Sequence, residues 1–176
     1  VERVKGNKVL PMITTCCPAW IKFGEQFYYD EIVNHMSTCS SPQAILASLV
    51  KTYYAKQIKK DPKDIILVDI MPCTAKKYEV LRPEFKKETD FVLTTVELAK
   101  LLKQLNVDFA RLPESDFDNP LGMSTGAADI FGHTGGVMEA ALRTAADTLT
   151  GKDLKEIDYT EIRSMKEIKE AELDIA

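Results

Sequence analysis

An excess of positive charge is missing from this sequence. Twenty-three lysines and arginines stand against 27 aspartates and glutamates, a net charge of −4 over 176 residues. That balance leaves no electrostatic footprint for nucleic acid or for an anionic membrane surface. Long apolar runs are missing too: "DIILVDIM" ends after one strand's length, far short of the ~20 residues that span a bilayer. No signal peptide, internal repeat or low-complexity tract is visible. Cysteine is scarce, four residues in all, and no two are spaced as Cys-x-x-Cys. The chain therefore does not read as a secreted disulfide framework, and a reducing, cytoplasmic interior is expected. The glycines have neither Walker nor dinucleotide spacing, so no phosphate-cradling loop is present.

What remains is a globular composition, 45% apolar and 28% charged, enough for one ordinary domain or two small lobes. Within it, "TTCCPAW" places Cys16 beside Cys17, directly before Pro18. Neighbouring Cα atoms lie about 3.8 Å apart, too close for an unstrained disulfide, so the pair points to chemistry rather than stapling. The chain starts at Val1 without methionine and ends on a strand-like "KEAELDIA", and it is expected to be an internal piece of something larger.

Strand and helix patterns alternate. "KVLPMITT" reads as a short strand delivering Cys16 and Cys17, and Pro18 then opens a helix carrying Trp20, Ile21 and Phe23. "SSPQAILASLVKTYYAKQIKK" reads as a helix capped by Ser41, with Ile45, Leu46, Leu49, Val50 and Tyr53 as its apolar stripe. After the break at "DPKD", "IILVDI" has the near-continuous apolar character of a buried parallel strand, and it delivers "MPCTAKKYE". "DFVLTT" reads as a further strand. Thr94 and Glu97 have capping-box spacing into "VELAKLLKQL". Residues 112–125 read as a linker or covering loop, and "GAADIFGHTGG" feeds the helix "VMEAALRTAADTLTG" with Gly151 at its end. Short β segments are expected at "TEIRS" and "AELDI". The expected fold is α/β, a largely parallel sheet flanked by helices, with a first lobe over residues 1–111 and a linker plus incomplete second lobe over 112–176.

In open α/β sheets, sites form beyond the carboxyl ends of the strands. Two such ends here carry Cys16–Cys17 and Cys73. Thiolates are soft ligands for iron–sulfur clusters or zinc, and Cys17 sits where a helix N-terminus would favour an anion. Equally, free cysteines serve as small buried hydrophobes. Lys76, three residues beyond Cys73, brings a cation near it if the segment turns helical, and Glu79 could pair with that cation. Ser37, Thr38 and Cys39 form a polar knot between helices, where hydroxyls cap or relay protons. His133 precedes a Gly-Gly turn and reads as a loop or capping residue as readily as a ligand. Gly135 and Gly136 would let backbone approach closely at the following helix start.

"TTCCPAW", "MPCTAKKYE" and "IFGHTGGVMEAALRTA", in this order, closely resemble the catalytic domain of [FeFe]-hydrogenases over essentially the whole chain. The resemblance implies a two-lobed domain truncated at both ends and a [4Fe-4S] cluster joined to a diiron subsite with CO, cyanide and a bridging dithiolate. Cys17 and Cys73 match cubane ligands, whereas Cys16 matches the thiol that passes protons. Lys76 matches a donor to cyanide, Pro42 and Gln43 line the diatomic ligands, Met71 and Phe131 form apolar walls, and Ser37 lies on the proton route. The implied reaction is 2H⁺ + 2e⁻ ⇌ H2, with an electron carrier such as ferredoxin as partner. Two further cluster cysteines would lie beyond Ala176, so this segment alone is expected to be inactive. Thr15 stands where serine is usual, His133 replaces a small residue, and Asp129 adds charge beside it. Two non-catalytic classes resemble the chain less well: iron–sulfur assembly factors and H2-sensing proteins, which usually lack the cysteine at position 16. A zinc-binding module with incidental cysteines is a third alternative.

Overall fold

The structure, a computed structural model, describes residues 1–151 apart from 86, 87, 124 and 134. The β segments expected at "TEIRS" and "AELDI" lie outside the described residues. The chain divides into two compact units, Pro11–Leu121 and, separately, Val1–Leu10 together with the chain from Gly122. The boundary expected at 111/112 thus falls ten residues later, and the first ten residues join the later unit.

In chain order the helices are α1 (Glu2–Lys5), α2 (Pro18–Phe27), α3 (Tyr29–Ile32), α4 (Pro42–Leu49) and α5 (Ala55–Gln57), the last two joined by a π-turn over Val50–Tyr54. Then come β1 (Val68–Ile70), α6 (Lys76–Glu79), β2 (Phe91–Leu93), α7 (Thr95–Gln104), α8 (Ala127–Phe131) and α9 (Gly136–Thr150). The class is mixed α/β. Strands β1 and β2 pair in parallel, Val68 against Phe91 and Ile70 against Leu93, with α6 in the crossover. Among the described residues no helix is long and apolar enough to cross a membrane.

Several elements follow their local chemistry. Pro18 and Pro42 each occupy a first helical turn, where a missing N–H costs nothing. The Ala44 N–H donates to Ser41 Oγ at 3.2 Å. The capping box is complete: the Glu97 N–H donates to Thr94 Oγ1 at 3.2 Å, and the Thr94 N–H donates to Glu97 Oε2 at 2.8 Å. Gly135 (φ 79°) and Gly151 (φ 67°) bracket α9 in the left-handed region. A Cβ on Gly136 would collide with the Ile130 carbonyl, which explains the glycine.

Three expectations need correction. "KVLPMITT" is not a strand; it makes one parallel bridge, Ile13 to Met36, through the Ile13 N–H on the His35 carbonyl and the Ser37 N–H on the Ile13 carbonyl, both at 2.8 Å. Pro11 has no N–H to extend that ladder. "IILVDI" is a strand only over its last three residues and is not buried among the described residues, Ile66 being 70% exposed. Its apolar character gives it capacity for burial, but the described sheet offers it one neighbour and no cover. The stripe on α4 is also rotated: Ile45, Leu46, Leu49 and Tyr53 are exposed, whereas Gln43, Ala47, Val50 and Ala55 face inward. Small residues allow that close approach.

Lys51, within the π-turn, ties this helix to the sheet. Its ammonium donates to the Ile65 and Pro62 carbonyls and to Asp90 Oδ2 at 2.8 Å, and the same Asp90 oxygen accepts the Leu67 N–H at 2.8 Å. The turn coincides with Thr52 Oγ1 donating back to the Ser48 carbonyl at 2.6 Å.

Two outcomes are expected. Gly136→Ala should lower stability by about 1–3 kcal/mol, from strain at the α9 start, as read by denaturant unfolding. The Lys77 ammonium, with the Thr94 cap behind it, holds the Glu97 carboxyl down at about 2 from an ordinary 4.5. Its contribution is therefore full above about 4.5 and lost as pH falls toward 2. Glu97→Gln should flatten the dependence of melting temperature on pH in that window; an unaltered slope would contradict the assignment.

Candidate metal centre and its surroundings

Cys17 is the N-cap of α2, with extended backbone (φ −96°, ψ 110°) and no capping bond from its side chain. Its sulfur is left exposed and uncommitted. The preceding Cys16 is half-buried, so the two neighbouring thiols meet different surroundings, as successive side chains on extended backbone do. Cys73 is also a free thiol, half-buried, three residues past the end of β1.

One lysine links these segments. The Lys76 N–H donates to the Cys73 carbonyl at 3.2 Å. Its side-chain ammonium donates to the carbonyl of Cys16, sixty residues earlier, at 2.8 Å and to Glu79 Oε2 at 2.9 Å. Lys76 and Glu79 are 5% and 4% exposed, a buried ion pair at i,i+3 on α6, which packs against α2. The pairing of Glu79 with Lys76 was legible in the spacing; the reach to Cys16 was not. Removing two charges from water is costly, and such a pair persists only when its hydrogen bonds are well made.

The polar knot at "STCSS" is organised by backbone contacts. Thr15 Oγ1 lies 3.1 Å from the Ser37 carbonyl and 2.9 Å from the Cys39 carbonyl, and its single proton is shared between them. Ser37 Oγ accepts the Cys39 N–H at 3.1 Å. Ser37 also lines a cleft of about 330 Å³ with Thr15, Cys39, Glu25, Glu79 and Arg82. On its rim, Arg82 makes a two-pronged contact with Glu25 at 2.8 and 3.0 Å and binds Glu84 at 2.8 Å. These carboxylates, Glu25 foremost, push the Arg82 guanidinium above its usual range, and Arg82 pulls Glu84 below its own. The sequence reading missed Glu25 and Arg82. They meet across 57 residues, and no local pattern marks them.

Behind α6, Asp69 on β1 accepts a bond from Thr89 Oγ1 at 3.0 Å. Burial pushes the Asp69 carboxyl up, while the Thr89 bond and the charge of Lys76 pull it down. Gln43, 6% exposed, faces a small cavity it shares with Glu79, Val80, Phe85 and Thr89. Among the described residues, Gln43 Oε1 and Trp20 Nε1 are buried without a hydrogen-bond partner. Native interiors rarely leave such atoms orphaned, and each calls for a group that completes it.

Of the other expected site residues, Pro42 is exposed at the first turn of α4, and Met71 is half-buried with its N–H on the Leu93 carbonyl at 2.8 Å. Phe131 ends α8, in the other compact unit from the cysteines. His133 is exposed, with Nδ1 3.1 Å from the Asp129 carbonyl, a local contact at the end of α8. Free thiols at Cys17 and Cys73 and a buried ammonium at Lys76 fit an anionic, thiolate-bound cofactor. No group of three or more metal-ligating side chains occurs among the described residues.

These features define a mixed α/β protein with free cysteines on two segments that Lys76 joins. The model of the iron only hydrogenase large subunit, C-terminal domain, matches residues 1–176. The chain belongs to that family. It is 49% identical to the NADP-reducing hydrogenase subunit HndD of Solidesulfovibrio fructosivorans, covering 96% of this chain and 29% of that protein. It is also 49% identical to the periplasmic [Fe] hydrogenase large subunit of Nitratidesulfovibrio vulgaris, covering 99% and 43%. A solved structure of the [FeFe]-hydrogenase HydA, from work on stepwise H-cluster assembly, superposes with a TM-score of 0.75 at 45% identity over 89% of this chain and 39% of that one. The cytosolic iron-sulfur assembly component 3 of Bos taurus is 33% identical over 99% and 39%. The chain spans less than half the length of each of these proteins.

His133→Ala is expected to leave bound iron in the full-length protein at the native level and to change stability by less than about 0.5 kcal/mol. Loss of iron in a colorimetric assay would make His133 a ligand.

Proposed function

We propose that this chain forms part of an [FeFe]-hydrogenase catalysing 2H⁺ + 2e⁻ ⇌ H2. The observation that carries the reading is the buried Lys76 ammonium joining the Cys16 main chain to the Cys73 segment, beside two neighbouring thiols in unlike surroundings. Cys17 and Cys73 hold a [4Fe-4S] cluster with two cysteines from outside the chain. A diiron subsite carrying CO, cyanide and a bridging dithiolate supplies the hydrogen chemistry when bound.

The chain's own residues bind, orient and deliver. Cys16 exchanges protons through its thiol, and Ser37, on the cleft wall, passes them inward from solvent. Lys76 supplies a charge-assisted donor to an anionic ligand. Pro42 and Gln43 line the diatomic ligands, and Met71 forms an apolar wall that excludes water. The electron partner is a small redox carrier such as ferredoxin. The free thiols favour a cytoplasmic location, although a relative of the same identity as HndD is a periplasmic [Fe] hydrogenase large subunit.

A second reading has an observation of its own, the 33% identity to an iron–sulfur assembly component. The higher identity to hydrogenases and the thiol at Cys16 favour turnover. In the full-length protein, Cys16→Ala should abolish H2 evolution with bound iron unchanged, and Cys17→Ser should lose iron. Native H2 evolution in Cys16→Ala would sink the role given to that thiol; no H2 from the wild-type protein would return the chain to the assembly class.

A further inference from the structure

We infer that Glu79 is a positioning residue, which holds the Lys76 ammonium against the Cys16 carbonyl and thereby sets both the direction of the cation's third N–H and the pose of Cys16. This rests on the function proposed above and adds a residue to it.

An ammonium carries three N–H groups in tetrahedral array. Two are committed, one to Glu79 Oε2 at 2.9 Å and one to the Cys16 carbonyl at 2.8 Å. Fixing two directions at a tetrahedral nitrogen fixes the third. A lysine side chain turns about several bonds and loses considerable rotamer freedom on ordering, so a single anchor would leave its head mobile. The second anchor removes that freedom.

Glu79 is also the right partner electrostatically. Both side chains are almost fully buried, so each charge needs the other. Without the carboxylate, Lys76 would be drawn toward the cleft that Glu25 and Glu84 line. The Cys16 carbonyl would then lose its charge-assisted donor, and the extended segment that presents both thiols would loosen. A residue that touches neither thiol thus governs how one of them is held.

A generic buried ion pair predicts something different. Such pairs can be replaced by apolar side chains of similar volume with no loss of function. Three variants of the full-length protein separate the two: Glu79→Gln, which keeps the volume and an acceptor oxygen; Glu79→Asp, which keeps the charge on a shorter arm; and Lys76→Met combined with Glu79→Leu, which removes both charges. The readouts are bound iron, the infrared cyanide bands of the loaded enzyme, and the rate of Cys16 alkylation by iodoacetamide in the metal-free protein, followed by peptide mass spectrometry.

The expected result for Glu79→Gln is native iron content, cyanide bands displaced beyond their own width, and several-fold faster Cys16 alkylation, with Glu79→Asp in between. The double variant should recover melting temperature but neither the bands nor the protection of Cys16. Native bands and native alkylation in Glu79→Gln, or recovery of both in the double variant, would overturn the inference. So would failure of both variants to fold, which would make the pair purely structural. Absence of cyanide bands from the wild-type enzyme would count against the proposed function instead, and the alkylation arm would still decide the role of Glu79.

Discussion

A single buried ammonium holds the centre of the larger unit together. Lys76 reaches back sixty residues to the Cys16 carbonyl while its own N–H closes on the Cys73 carbonyl. The thiols at two extended-segment ends therefore lie on segments joined through one side chain. Its charge is tolerable only because Glu79 is buried with it. Remove that pairing and the interior would contain an uncompensated cation, a far larger penalty than the loss of any surface salt bridge on this chain. The other polar contacts in the unit are arranged around this constraint: Asp69 and Thr89 behind it, Gln43 beside it, and the Arg82 fork closing the cleft in front.

Under the proposed function the site follows a division of labour common in cofactor proteins: the iron would carry the redox chemistry, and the polypeptide would supply ligands, donors and a route for protons. Two buried polar atoms, Gln43 Oε1 and Trp20 Nε1, are unsatisfied in the same unit. Strain and orphaned groups gather at functional sites because the rest of the fold holds them there.

Local chemistry accounted for much of the secondary structure. Proline at first turns, the Ser41 cap, the Thr94–Glu97 box and glycines bracketing α9 all follow from neighbours within four residues. Where the reading erred, it treated apolar sequence as if it were burial. "IILVDI" and the Ile45–Leu46–Leu49–Tyr53 stripe are apolar in sequence and exposed in the described structure, because burial depends on which partner an element meets. "KVLPMITT" read as a short strand, yet Pro11 limits it to one bridge.

The sequence by itself determined the family and the α/β class, because short motifs carry them: two adjacent thiols before a proline, a third thiol after an apolar run, and a lysine one turn beyond. The tertiary structure alone decided what Lys76 holds, which face of α4 turns inward, and that Glu25 meets Arg82. Those facts depend on pairs of residues 57 or 60 positions apart, and distances of that order are set by the folded path of the chain rather than by any local pattern along it.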